Sequence, residues 1–222
     1  MTFEDYKKDF ERFAVIDSPE KLAHCEKMYQ QHLLYLEEQN YFEPFEYRTG
    51  DDLSSVYEQR LGVLLPFDEI KENQITFLLR PSFTPEGLLV IDILPDKCVL
   101  TFTTLLENFW SVLYEDQEAI QVERKTLTGE LPKRIGDQLV AMVDSAIAAT
   151  RKPTSAWAVL DGAVYVLTKV VDGKPLSVFK HSPNEDSKTG KVINVFLHLG
   201  KNVMELEGEK LQHLERLIAE YW

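Results

Sequence analysis

The chain has 222 residues, of which 44% are hydrophobic, 11% aromatic and 27% charged. A chain of this length can bury well over half of its unfolded surface, and its composition excludes an intrinsically disordered protein. The formal net charge of −13 disfavours nucleic acid and anionic lipid as partners, and no apolar run reaches the roughly 18 residues of a membrane span.

The negative charge is concentrated in the N-terminal part of the chain. Residues 1–70 contain 16 acidic and 7 basic residues, a net charge of −9, whereas residues 151–222 contain 9 and 10, a net charge of +1. An acidic surface attracts basic partners, although acidity also keeps many cytosolic bacterial proteins soluble. Cys25 and Cys98 fall in a predicted helix and a predicted strand, which is typical of buried thiols in a reducing cytosol. The N-terminus lacks the apolar stretch of a signal peptide, so we expect a cytoplasmic protein.

Helical periodicity dominates the first third of the chain. Apolar side chains recur at helical spacing over residues 3–14, and a Ser-Pro start signal predicts a second helix from about 19 to 40. A loop rich in aromatic and acidic residues follows. A short helix is then expected from about Leu53 to Leu61, ended by Gly62.

A β pattern begins at Gln74. Three β-rich runs separated by turn residues predict a meander of three strands over residues 74–104. The segment from 105 to 125 carries both helix and strand signals, and we favour a helix for its first part. Pro132 then opens an amphipathic helix that ends near Thr150.

The C-terminal third repeats this order of strands and helices. A second meander of three strands is expected over residues 156–180, with turns at Asp161–Gly162 and Asp172–Gly173. The apolar run 192–200 fits a strand or a buried helix, because periodicity does not separate the two. Helical spacing predicts a last helix from about 207 to 221.

These elements predict an α+β fold, in which antiparallel β-meanders at about residues 74–104 and 156–180 pack with amphipathic helices. No Gly-, Ser- or Pro-rich linker divides the chain. We therefore expect a single domain over residues 1–222, with a subdivision into two layers near 105–130 as the alternative.

No catalytic or metal-binding motif is present. His181, Ser182 and Asp186 include the residue types of a nucleophile site, but neighbours on an extended chain point to opposite sides. The five histidines form no His-Glu-x-x-His, there is no Cys-x-x-Cys, and the segment SKTGK lacks phosphate-loop spacing and is expected to be a solvated loop. We expect no catalytic residues, no metal and no cofactor.

Acidic and aromatic residues alternate from the end of the second helix into the following loop. Rings that anchor an interface with a charged rim would give this composition, and so would rings that pack inward while the carboxylates face solvent. The candidate binding residues are Glu37, Glu38, Tyr41, Phe42, Glu43, Phe45, Glu46, Tyr47, Asp51 and Asp52.

The sequence thus favours an acidic binding protein over an enzyme. We expect an immunity-type inhibitor that neutralises a basic protein partner such as a toxin, and no binding to nucleic acid or membrane. The alternatives are a small hydrolase-like enzyme whose site assembles from distant residues, and a structural or adaptor subunit.

Overall fold

The computed structural model describes residues 1–46, 48–116, 122–154 and 161–222 and has an α+β architecture. The helices in these ranges are Phe3–Glu11 (α1), Pro19–Glu38 (α2), Leu53–Leu64 (α3), Phe109–Glu115 (α4), Lys133–Ala148 (α5), Lys188–Asn202 (α6) and Gly208–Tyr221 (α7). The strands are Glu43–Pro44 (β1), Gln74–Pro81 (β2), Gly87–Ile93 (β3), Lys97–Leu105 (β4), Arg124–Pro132 (β5), Ala163–Val171 (β6) and Lys174–His181 (β7). None of these helices is both long enough and apolar enough to cross a bilayer.

All the strands belong to one antiparallel sheet with the order β1-β7-β6-β2-β3-β4-β5. The strands β2 to β5 follow one another as a meander, and β6 and β7 form a hairpin. The hairpin joins the meander through β2, where Phe77 lies opposite Leu167. Both predicted meander regions therefore contribute to the same sheet.

Helices cover both faces of the sheet because its strands alternate apolar side chains between the two sides. On one face, residues such as Phe77, Leu89 and Leu100 pack against α5, α6 and α7. On the other face, Leu78 and Val166 pack with residues of α3 and α4. The second face carries the cleft described below.

Two sequence expectations change, and the open alternative for residues 192–200 is resolved as a buried helix. The third helix continues through Gly62 to Leu64, because this glycine lies inside the helix instead of in a C-terminal cap. The run 192–200 is part of α6, which is buried along much of its length. The segment SKTGK is the start of α6 and not a solvated loop: Thr189 and Gly190 are buried, and Ser187 Oγ accepts a hydrogen bond from Gly190 N at 3.0 Å.

The second meander is confirmed for its hairpin. β6 and β7 are joined at Asp172–Gly173, where both residues have positive φ, 52° and 73°. The strand predicted before Asp161 falls on residues 155–160, outside the described residues. The strand β5, by contrast, had no counterpart in the sequence-based prediction.

Candidate functional site

Lys180 of β7 holds the first part of the acidic and aromatic segment (residues 37–52) against the sheet. Its side chain is only 4% exposed, and Nζ donates to the Glu38 carbonyl oxygen at 2.7 Å and to Glu43 Oε1 at 2.9 Å. The same ammonium lies 5.7 Å from the centre of the Tyr41 ring. The carboxylate of Glu43 therefore compensates the charge of the buried Lys180 ammonium.

The carboxylate of Glu38 also has an internal role. It is buried, and its Oε1 accepts hydrogen bonds from Thr154 N at 2.8 Å and from Thr154 Oγ1 at 2.7 Å. The guanidinium of Arg151 lies 5.1 Å from the Tyr41 ring centre, and Arg151 N donates to the Phe42 carbonyl at 3.0 Å. These contacts tie the chain after α5 to the end of α2.

The described aromatic rings of the segment face the interior. Tyr41 and Phe42 are buried, and Phe45 is half-buried with its ring edge-on to Phe67 at 5.7 Å and to Phe179 at 6.0 Å. Tyr47 lies outside the described residues. Among the candidate binding residues that the structure describes, the exposed ones are therefore carboxylates and not rings.

Four of the predicted carboxylates are exposed: Glu37, Glu46, Asp51 and Asp52. Asp52 also caps α3, since its Oδ1 accepts hydrogen bonds from Ser54 N at 3.0 Å and Ser55 N at 3.1 Å. Hydrogen bonds from the Ser55 side chain and backbone hold the pKa of Asp52 below its usual value.

A cleft of about 590 Å³ opens where this segment meets the ends of β2, β6 and α4. The segment and α3 contribute Arg48, Ser54, Tyr57 and Glu58; the end of β2 and the turn after it contribute Arg80, Pro81, Ser82 and Phe83. The helix α4 contributes Trp110, Ser111, Tyr114 and Glu115; the β6–β7 hairpin and the turn before it contribute Asp161, Val164 and His181.

The charges on the floor of the cleft are paired with each other. Arg80 Nη1 lies 3.2 Å from Glu58 Oε1, and Glu58 Oε2 accepts a hydrogen bond from Arg48 N at 3.0 Å. The Arg80 guanidinium also lies 5.1 Å from the centre of the Tyr57 ring. Burial, and then the nearby carboxylate of Glu86, raise the pKa of Tyr57, so its hydroxyl stays protonated.

Glu86 fixes the wall formed by α4. This carboxylate is fully buried and accepts hydrogen bonds from Tyr57 Oη at 2.7 Å, Phe109 N at 2.8 Å and Trp110 N at 3.3 Å. Asn108 Oδ1 accepts a further bond from Ser111 N at 3.0 Å. The first turn of α4 is thereby satisfied, and the cleft walls formed by α3 and α4 are held together.

His181 and Ser182 do not form a nucleophile and base. The Ser182 hydroxyl accepts a hydrogen bond from Ala163 N at 3.0 Å, and its backbone is left-handed with a φ of 40°. No hydrogen bond joins Asp186 to either residue among the described residues. His181 instead lines the cleft. Burial, and next the positive charge of Arg80, lower the pKa of His181, whereas the carboxylate of Glu43 acts to raise it. The net lowering favours a neutral imidazole.

The mouth of the cleft carries the exposed rings that sequence reasoning did not select. Phe83 is 78% exposed and Tyr114 is 71% exposed, and the carboxylates of Glu115 and Asp161 beside them are also exposed. Phe83 lies in the turn between β2 and β3, within the polar sequence Ser-Phe-Thr-Pro. A large ring in such a turn is the one signal that could have indicated this surface.

No group of three or more His, Cys, Asp or Glu residues that could hold a metal ion occurs in the part of the chain that the structure describes. A scan against known protein families and a search of curated proteins find no match to this chain.

Proposed function

We propose that this chain is an acidic binding protein of the immunity type, which neutralises a basic protein partner, such as a toxin, with the surface around the cleft. The observation that carries the proposal is the mouth of the cleft, where the exposed rings of Phe83 and Tyr114 stand beside the carboxylates of Glu115 and Asp161. Aromatic anchors next to a charged rim are the composition of a protein interface.

Each part of this surface has a separate task in binding. The exposed carboxylates, with Glu46 and Asp51 of the neighbouring loop, raise the rate of encounter with a basic protein. The rings provide apolar area that is buried in the complex and slows dissociation. The paired charges on the floor, Arg80 with Glu58, keep the cleft in one shape, so little conformational entropy is lost on binding.

The segment selected from the sequence has a divided role in this proposal. Tyr41, Phe42 and Phe45 position the loop from inside, and Glu38 and Glu43 anchor it through Thr154 and Lys180. The partner-facing groups of the segment are Glu37, Glu46, Asp51 and Asp52.

The test is affinity capture from the native cell extract, followed by binding kinetics on the captured protein. The charge variant combines Glu115→Lys and Asp161→Lys, which changes the net charge by the same amount as the control. Its matched control combines Glu209→Lys and Glu220→Lys, two exposed positions on α7, which packs on the opposite face of the sheet. Both variants retain the contacts of the cleft floor.

We expect the wild type and the α7 control to capture the same basic protein and the charge variant to associate more slowly. The difference should shrink as salt is added, since the screening length is about 8 Å at 0.15 M ionic strength. Phe83→Ala or Tyr114→Ala should raise the dissociation rate about 30-fold, the equivalent of roughly 2 kcal/mol for an interface anchor. Both rings are exposed, so their removal leaves the core intact. Capture of no basic protein, or equal capture by all variants, would refute the proposal.

A further inference from the structure

The strand β5 forms one edge of the sheet, with no further strand beside it among the residues that the structure describes. It is the last strand in the sheet order, is nine residues long, and is mostly exposed. The opposite edge, β1, has only two residues. A long, unpaired edge strand can bind a further strand through its backbone, and proteins therefore cover such edges, place charges on them, or use them for assembly.

The pairing of β5 with β4 determines which of its backbone groups are free. Leu106 N donates to Glu123 O at 2.8 Å, next to the pair Leu105–Arg124. Antiparallel pairs alternate between those that exchange hydrogen bonds and those that do not. Lys125, Leu127 and Gly129 therefore bond to β4. The outward backbone groups belong to Arg124, Thr126, Thr128 and Glu130, and no other described residue bonds to them.

We propose that β5 pairs antiparallel with β5 of a second copy of this chain, about a twofold axis at Leu127. In this register the outward residues meet each other, because Arg124 lies opposite Glu130 of the second copy and Thr126 lies opposite its Thr128. The twofold axis repeats the Arg124–Glu130 contact, so the interface contains two cross-strand ion pairs. Opposite residues of an antiparallel pair point to the same face, which allows both pairs to form.

The neighbouring registers lack this complementarity. An axis at Thr128 places Arg124 opposite Pro132, which has no N–H to donate, and Glu130 opposite Thr126. An axis at Thr126 places Arg124 opposite Thr128 and brings no acid to either arginine. All three registers pair outward residues with outward residues, and charge complementarity selects the one with its axis at Leu127.

The present contacts of the two charged residues leave them able to rearrange. Glu130 forms an exposed ion pair with Lys97 at 2.6 Å, and Arg124 Nη1 donates to the Leu64 carbonyl at 3.2 Å. Exposed ion pairs contribute little to stability and are readily shared or exchanged. The competing interpretation is that Arg124, Lys125 and Pro132 protect the edge from pairing.

Sedimentation equilibrium of the full chain over a series of concentrations tests the proposal. The wild type should approach twice the mass of the 25.7 kDa chain. Arg124→Glu should raise the dimer dissociation constant at least about tenfold, because both symmetry-related contacts change from attraction to repulsion. The charge-swapped variant Arg124→Glu/Glu130→Arg should restore the wild-type constant, which a merely structural role of either residue would not do.

A backbone variant provides an independent test. Thr128→Pro removes an outward N–H without removing a bond to β4, so it should abolish the dimer while the melting temperature remains close to that of the wild type. A monomeric wild type at the highest soluble concentration would overturn the proposal and indicate a protected edge. A dimer that is indifferent to Arg124→Glu and Thr128→Pro, or one that the charge swap fails to restore, would overturn it as well.

Discussion

Gly136 lies where α5 packs tightly against β4, and its replacement gives a sharp test of the core. A Cβ atom built at Gly136 lies 2.0 Å from Cys98 Sγ and 3.6 Å from Cys98 Cβ. Cys98 is fully buried in β4. Because atoms in contact normally lie about 3.5–4.0 Å apart, Gly136→Ala requires a movement of roughly 1.5 Å by the sulfur or the helix.

Two effects of opposite sign act in this variant. Alanine in place of glycine inside a helix stabilises by about 1 kcal/mol, whereas overpacking a core costs about 1–3 kcal/mol. The 2.0 Å approach to Sγ is severe, so we take the upper end and expect a net loss of about 2 kcal/mol. For a chain of this size that loss lowers the melting temperature by roughly 4–8 °C.

The matched second variant is Cys98→Ala, which removes the sulfur and leaves Cβ at an ordinary contact distance. Alone it should cost about 1–2 kcal/mol through the small cavity that it creates. In the double variant Gly136→Ala/Cys98→Ala the new methyl group occupies the space of the sulfur, so the double variant should be more stable than either single variant. Urea unfolding measures all four proteins. Additive effects, within about 0.5 kcal/mol, would show that the helix and the strand are not in this close contact.

Four further predictions concern the cleft, the contact of Lys180 with the acidic and aromatic segment, the pH dependence of stability, and metal binding. Glu86→Ala should lower the free energy of unfolding by about 3 kcal/mol, because it leaves Tyr57 Oη and two N–H groups of α4 without an acceptor; Tyr57→Phe should cost less in the same urea titration. Lys180→Met should cost about 2–4 kcal/mol by leaving Glu43 uncompensated, and a double-mutant cycle with Glu43→Gln should recover part of the loss; full additivity would contradict the contact. Burial lowers the pKa of His181 in the folded state below 6.5, so the unfolded chain binds the proton more readily and stability falls as the pH drops below that value. The decrease between about pH 7.5 and 5.5 should be smaller in His181→Gln, and an unchanged decrease would contradict this assignment. Treatment with a chelator should leave the melting temperature unchanged, whereas a loss of several degrees that zinc restores would reveal a site formed by distant residues.

The elements that the sequence predicts well are those whose signals are local. Ser18 caps α2, with its Oγ accepting from Lys21 N at 3.3 Å, as the Ser-Pro start signal indicated. The Asp172–Gly173 turn and the first meander are confirmed for the same reason. The strand β5 was missed because it lies at an edge and exposes most of its side chains, so its apolar alternation is weak.

The candidate site depended on long-range contacts that no local pattern carries. Whether Tyr41 and Phe42 face inward is decided by Lys180 and Arg151, which lie more than 100 residues further along the chain. The cleft is assembled from four separate segments, so the exposed rings at its mouth have no common sequence motif. Composition identified the carboxylates, but only the fold distinguishes the exposed ones from those with internal partners.

The single junction between hairpin and meander has a consequence for the order of folding. The strands β2 to β5 are connected by short range pairings, whereas β6 reaches β2 across about 90 residues, from Phe77 to Leu167. Closing a loop of that length costs about 4 kcal/mol of chain entropy before any contact compensates for it. An isolated hairpin such as β6–β7 has little stability in water. We therefore expect the meander to form first as a template, and the docking of the hairpin onto the exposed edge of β2 to limit the rate of refolding.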